Sequence, residues 1–409
     1  MIKFNRIVFW LLAISVAPSL FLFSINVMVN LGYLDVPVGG HVLIGRDFVN
    51  YYASSLAIWE NKLDIIYDVD AYYEFLKHSF GDNLSKHNAS YPPHFWLFTW
   101  PLSFFPYLLS LILWSVFSVT VFYKSLELYG LPKQDIIILC LTPAIIICLI
   151  GGQNGLISAA LILSAFYFKD NRPILAGFLL ACLTYKPQMG FLIPLALMLS
   201  RDWKVIFWAG VFTVMLIVSS IIIFGTHVWL DYFHNVIPFQ MYILENMGRP
   251  FNIMVPSIFK SLHNFGVNTD IAMQVQYVLG LLSVLIVIWA FWRVRNRDLQ
   301  LALFLTATCM FSPYLVIYDL PILTFAAYLY YKYLVQTYSK QPSRLNICLV
   351  VSVIGLSYIC FFIGLAGFSI SPLIMIVFAI YIIRELRLSE SFQRPKFQFS
   401  ELKQILSLS

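Results

Sequence analysis

Asp47 stands in the stretch GRDFVNYYAS (Gly45 to Ser54), beside an arginine, an asparagine and two tyrosines, in a chain of which only 11% is charged. Two roles fit an acid at this point. It can cap a helix that begins here, accepting the orphan amides of the first turn. It can also act as a general base, provided an acceptor hydroxyl can reach it. Tyr51 lies one turn further along the same helix face and Tyr52 beside it, placed to wall a site.

Four other stretches carry polarity that an apolar chain does not need for folding. YPPHFW begins at Tyr91, and Pro92 and Pro93 force the backbone out of helix before it. It reads as a structural elbow or as a rigid mounting for Tyr91 and His94. GGQNG (Gly151 to Gly155) is a turn between apolar runs, yet Gln153 and Asn154 exceed what a turn requires and fit a ligand equally well. TYKPQ (Thr184 to Gln188) interrupts an apolar stretch with Pro187 and sets Lys186 beside the break. That cation either snorkels to water or neutralises an anionic headgroup. SPYLVIYDL (Ser312 to Leu320) puts Tyr318 and Asp319 early in an apolar run, where an acid must face a cavity or a cation. Arg249, in NMGRPFN, reads as a solvated loop arginine or an anion partner.

The elements that must position these residues are membrane helices. The chain has 409 residues, 60% hydrophobic and 17% aromatic, with a mean hydropathy of +0.81. A soluble domain has about a quarter of its residues charged, so this chain could not cover a water-facing surface. Apolar runs of roughly 20 residues mark bilayer crossings. About twelve are expected, near 7–33, 106–129, 134–150, 154–169, 173–185, 187–200, 203–225, 272–293, 298–312, 316–335, 345–367 and 370–386, with a half-inserted segment at 92–105. The expectation is therefore an all-α polytopic integral membrane protein, one transmembrane domain over 1–390 followed by a tail at 391–409.

Basic residues fall on alternate turns, from Lys3 and Arg6 to the tail, which makes that side cytoplasmic. Segments 34–91 and 226–271 then form long outer loops, and all seven histidines lie on the outer side with every polar motif named above. The net charge of +6 reflects orientation, because no basic run is long enough to track nucleic-acid phosphates. The six cysteines all sit in apolar runs without CxxC spacing, which argues against disulfides and metal sites. A carboxylate, aromatics, amides and cations on one membrane face suit a site for a lipid-linked phosphate and a polar acceptor.

Taken in order, GRDFVNYYAS, YPPHFW, the stretch with Trp114, GGQNG, YKP and SPYLVIYDL resemble glycosyltransferase family 87 over roughly residues 40 to 320. The resemblance implies a GT-C fold and an inverting enzyme of the inner membrane. It would move a hexose such as mannose from a polyprenyl-phosphate donor to a lipid or glycan acceptor on the extracytoplasmic face. Its catalytic carboxylate would be Asp47. Lys186, Arg249, Tyr318 and Asp319 are then candidates for the donor phosphate, and Tyr51, Tyr52, Tyr91, His94, Gln153 and Asn154 for sugar or acceptor. No cofactor or metal is expected, since a lipid phosphate leaves without one, and Asp68-Val69-Asp70 reads as a loop coincidence. Two alternatives stand beside this one. An O-antigen polymerase- or ligase-like enzyme using lipid-diphosphate oligosaccharides would want more arginine than Arg46 and Arg249 in the outer loops. A transporter would want internal repeats, and none is evident.

Overall fold

The computed structural model of the chain describes residues 43–82, 84, 86–246, 251–337 and 342–388. The expected first crossing at 7–33, the tail 391–409 and Arg249 lie outside the described residues. Two short helices come first, α1 (Phe48–Trp59) and α2 (Val69–Phe80), where a loop was expected. Asp68 caps α2 through its side chain, accepting from the amides of Asp70 and Ala71. The described part of segment 92–105 forms only single turns, Pro93–Phe95, Trp96–Thr99 and Leu102–Phe104, as its prolines dictate.

The bundle follows: α3 (Tyr107–Glu127), α4 (Lys133–Cys140), α5 (Pro143–Ile150), α6 (Gly155–Phe168), α7 (Pro173–Cys182), α8 (Ile193–Leu199) and α9 (Trp203–Phe224). After it, α10 (Thr226–Asp231), α11 (Ile237–Asn246) and α12 (Ile258–Asn264) occupy the second expected loop. The remainder is α13 (Thr269–Arg293), α14 (Arg297–Phe311), α15 (Pro321–Thr337), α16 (Arg344–Ile354), α17 (Leu356–Gly364) and α18 (Ser371–Leu388). All regular elements among the described residues are helical.

Helix length departs from the simple crossing count. Three helices, α3, α9 and α13, are long and apolar enough to cross a membrane, or five spans if the bent pairs α4–α5 (53°) and α16–α17 (68°) each count as one. The others are short: α6 has 14 residues, α7 has 10 and α14 has 15. At 1.5 Å per residue they reach only about 21, 15 and 23 Å, less than the ~30 Å of a hydrocarbon core. Turns at the ends of such helices lie at membrane depth, where irregular backbone survives only inside protein or along a polar cavity. Burial agrees. α14 is buried at every residue from Leu301 to Met310, as is α15 from Pro321 to Tyr330, the pattern of central helices that are apolar all round. α9 buries only Val205, Ser220 and Phe224, as suits a helix that faces lipid.

The two ends of the bundle differ. Lys169 pairs with Asp202 (2.8 Å), Arg297 with Asp170 (2.8 Å) and Lys332 with Asp298 (2.8 Å), gathering the basic turns at one end. The polar motifs sit at the opposite ends of the same helices: Gly155 opens α6, Cys182 closes α7 toward Lys186, and Asp319 precedes α15. At this end α1, α2, α10 and α11 form a helical cap. Tyr67 stacks on Trp96 (5.0 Å between centroids), while His227 approaches Asp64 (3.1 Å) and Gln240 donates to Ser90 (2.9 Å), so segments 34–91 and 226–271 pack on each other.

Close backbone approach explains the glycines of GGQNG. Gly152 has φ +58°, and a Cβ there would lie 2.5 Å from Phe48 Cβ and 3.0 Å from the Gly45 carbonyl. At Gly155 a Cβ would meet the Tyr318 carbonyl oxygen at 1.8 Å, so only glycine lets α6 dock on the SPYLVIYDL turn. Overpacking against fixed backbone costs about 1–3 kcal/mol. Gly155→Ala should lower the thermal unfolding midpoint of the detergent-solubilised protein. Gly210→Ala, within α9 and with nothing within 4 Å of its Cβ, should not lower it.

Candidate active site

GRDFVNYYAS is clamped before its side chains are considered. The Tyr107 hydroxyl donates to the Ile44 carbonyl (2.8 Å), and the Asp47 amide donates to the Gly151 carbonyl (3.2 Å). Trp114 Nε1 donates to the Gly152 carbonyl (3.0 Å) and fixes the facing turn.

Asp47 occupies the N-cap position of α1 but makes no side-chain cap hydrogen bond. The capping role considered for its carboxylate is therefore not the one it plays. Its Oδ2 accepts from Gln153 Nε2 at 2.5 Å. The Tyr51 hydroxyl donates to Gln153 Oε1 (3.0 Å), and Tyr91 Oη lies 3.3 Å from Tyr51 Oη. The network fixes the orientation of the amide: an ionised carboxylate only accepts, so Gln153 must present its NH2 to Asp47 and its oxygen to the phenol. The other oxygen, Oδ1, faces Arg46 Nε at 3.9 Å and His87 Nε2 at 3.8 Å, with the Asp47 side chain 24% exposed. Burial pushes the Tyr51 and Tyr91 phenols well above their usual value, with each ring's proximity to the other's negative form adding to Tyr51. Both phenols are held neutral and can act as hydrogen-bond donors.

A second polar group lies beneath. Lys186 follows the break after α7 outside the helical region (φ −130°, ψ +68°), in keeping with the exclusion of helical backbone before proline. Its ammonium donates to Asn154 Oδ1 (3.0 Å) and forms an ion pair with Asp319, and it sits 5.1 Å from the Tyr318 ring centroid. Lys186 and Asp319 are almost completely buried. Asp319 Oδ2 is buried with no hydrogen-bond partner among the described residues, and Asn154 Nδ2, also buried, makes no well-formed hydrogen bond although it lies close enough to the Tyr91 phenol to interact with it. Adjacent residues of one turn thus hold the two groups together: Gln153 reaches Asp47 and Asn154 reaches Lys186.

The structure brings Asp47, Tyr51, Tyr91, Gln153, Asn154, Lys186, Tyr318 and Asp319 to one region. It does not bring Tyr52, whose hydroxyl donates to the Phe105 carbonyl (3.0 Å) and whose ring packs on Phe80 and Tyr107. Nor does it bring His94. That ring is buried, stacks on Trp229 (5.7 Å, 10°) and lies 3.1 Å from the Thr184 hydroxyl, joining the cap to the bundle rather than facing the carboxylate. Three residues were not singled out from sequence and belong here. Arg46 and His87 flank Asp47, and Tyr185, hydrogen-bonded to Ser158 (2.8 Å), packs against Tyr91 and Phe95. Arg46 and Tyr185 adjoin chosen residues in the chain, a usable signal. His87 is 40 residues from Asp47, and nothing in the sequence pairs them.

Lys186 was expected to meet an anionic headgroup, and its charge is already opposed by Asp319. Breaking a buried pair by removing one member costs about 3–5 kcal/mol, because the survivor is left uncompensated. Lys186→Met and Asp319→Leu should each destabilise by that order in thermal or denaturant unfolding. The double substitution should cost clearly less than their sum.

Residues 90–313 match the profile of glycosyltransferase family 87, while no curated protein and no solved structure shows a match to the chain. The matched span includes Tyr91, Gln153, Asn154 and Lys186; Asp47 lies ahead of it and Asp319 just beyond, and the fold sets both against it. With more than half of its length in that match, the chain belongs to glycosyltransferase family 87 and is a glycosyltransferase.

Proposed function

We propose that this glycosyltransferase transfers a hexose, with mannose the first sugar to test, from a polyprenyl-phosphate donor to a lipid or glycan hydroxyl, with inversion. The observation that carries the reading is the state of Asp47. One of its oxygens is held by Gln153, and the other is turned to the partly open side of the site. A general base needs that combination of fixed orientation and access. Asp47 takes the proton of the acceptor hydroxyl, the acceptor oxygen bonds to the anomeric carbon, and the bond from that carbon to the phosphate oxygen breaks. Polyprenyl phosphate departs with the electron pair. It is a stable anion, so no acid catalyst is required.

The buried pair is the floor of the sugar site in this reading. An unpartnered buried donor or acceptor costs about 1–3 kcal/mol, which hydroxyls of a hexose would recover at Asn154 Nδ2 and Asp319 Oδ2. Tyr51, Tyr91 and Tyr318 supply aromatic walls. In architecture the proposal is a GT-C enzyme of about twelve crossings in the inner membrane. Its polar end would face the extracytoplasmic side, consistent with the gathering of basic turns at the other end. The recessed site suits a substrate that arrives within the bilayer.

Asp47→Asn preserves the shape of the side chain and removes its basicity. It should lower the rate of transfer by about 10²–10⁴-fold while leaving folding intact. Transfer from a panel of polyprenyl-monophosphate sugars, against the diphosphate-linked oligosaccharides, tests the donor class. Efficient use of the diphosphate donors alone, or an Asp47→Asn enzyme with full activity, would overturn the reading.

A further inference from the structure

Departure of a phosphate leaves a negative charge that a committed cation cannot neutralise. Lys186 is held by Asp319 and Asn154. Lys260, buried on α12, donates to the Leu244 carbonyl (2.9 Å) at the end of α11. Arg46 is different. Its side chain is 36% exposed, its Nε stands 3.9 Å from Asp47 Oδ1, and its Nη1 touches the thioether of Met254 at 3.7 Å. The first contact is at the limit of an ion pair and the second uses a weak acceptor. Among the described residues the guanidinium makes no other contact, and an anion can displace both.

The backbone argues that this side chain is placed rather than tolerated. Arg46 has φ +32°, a left-handed conformation that costs a non-glycine residue of order 1–3 kcal/mol. It is held there by the hydrogen bond that its amide donates to the Leu43 carbonyl (2.8 Å) and by the packing of Gly152 on the Gly45 carbonyl and Phe48. Glycine would relieve the strain and nothing in the backbone hydrogen bonding demands arginine. What arginine adds is a planar fork matched to phosphate oxygens.

We propose that Arg46 binds the phosphate of the lipid-linked donor and of the departing polyprenyl phosphate; the assignment rests on the reading of Asp47 as base. Its Nε lies beside Asp47 and its fork extends away toward Met254. A phosphate held on that fork would lie on the Met254 side of Asp47, leaving the reacting carbon between phosphate and carboxylate.

The test measures binding to the purified full chain in lipid nanodiscs of two probes, a polyprenyl monophosphate and the polyprenol of equal length. Wild type should prefer the phosphate. A charge-assisted bidentate contact is worth about 10- to 100-fold, so Arg46→Gln should lose that much affinity for the phosphate and none for the alcohol. Arg46→Lys should lose less, and Arg46→Gly, which removes strain and guanidinium together, should fold normally and lose as much as Gln. An Arg46→Gln protein that keeps the wild-type preference overturns the assignment, even if its turnover falls, since Arg46 would then only position Asp47. A wild type with no preference for the phosphate overturns the donor reading itself.

Discussion

A lysine and an aspartate buried together at the ends of short helices set the terms for the rest of this structure. Each charge costs several kcal/mol to remove from water, so neither tolerates displacement of the other. Lys186 comes from the break after α7 and Asp319 from the turn before α15. Their pairing therefore fixes two irregular backbones that lack helical support. Asn154 completes the group, and the absence of a side chain at Gly155 is what lets its helix come close enough. Gln153 is the next residue. Its grip on Asp47 is thereby inherited from the ion pair, passed through one rigid turn, and the carboxylate gains a defined position without a helix-cap hydrogen bond.

The helical and apolar character of the chain, its basic end and its polar end could all be read from sequence, because each rests on composition and spacing along a single helix. The five polar stretches were recognisable for the same reason: polarity without a folding purpose is conspicuous in an apolar chain. What could not be read is direction. Tyr51 and Tyr52 are neighbours on α1, yet a step of about 100° sends one to Gln153 and the other to Phe105. His94 was attractive because it follows two prolines, and those prolines aim it at Trp229 instead. Lengths misled as well. Apolar runs such as 134–150 and 345–367 look like single crossings by hydropathy, while Thr142 with Pro143, and Gly355, bend them sharply. The segments read as loops contain helices whose apolar faces are satisfied by each other, a tertiary fact with no local signature.

Charge accounting separates two cations that sequence alone treats alike. In a chain with so few charges, any lysine or arginine beside a polar motif is a candidate for an anionic substrate. Only interactions stronger in the transition state than before it speed a reaction. Lys186 is fully engaged in the resting protein, so negative charge developing nearby would have to compete with Asp319 for it. Its contribution is a fixed field and a fixed geometry. Arg46 has weak contacts and a strained backbone that keeps it beside Asp47, so its strongest interaction is still to be made. In the proposed mechanism the two roles are separate, one charge pair that builds the site and one cation that answers the leaving group, and that division would let a sparsely charged bundle hold a basic carboxylate and an anionic donor side by side.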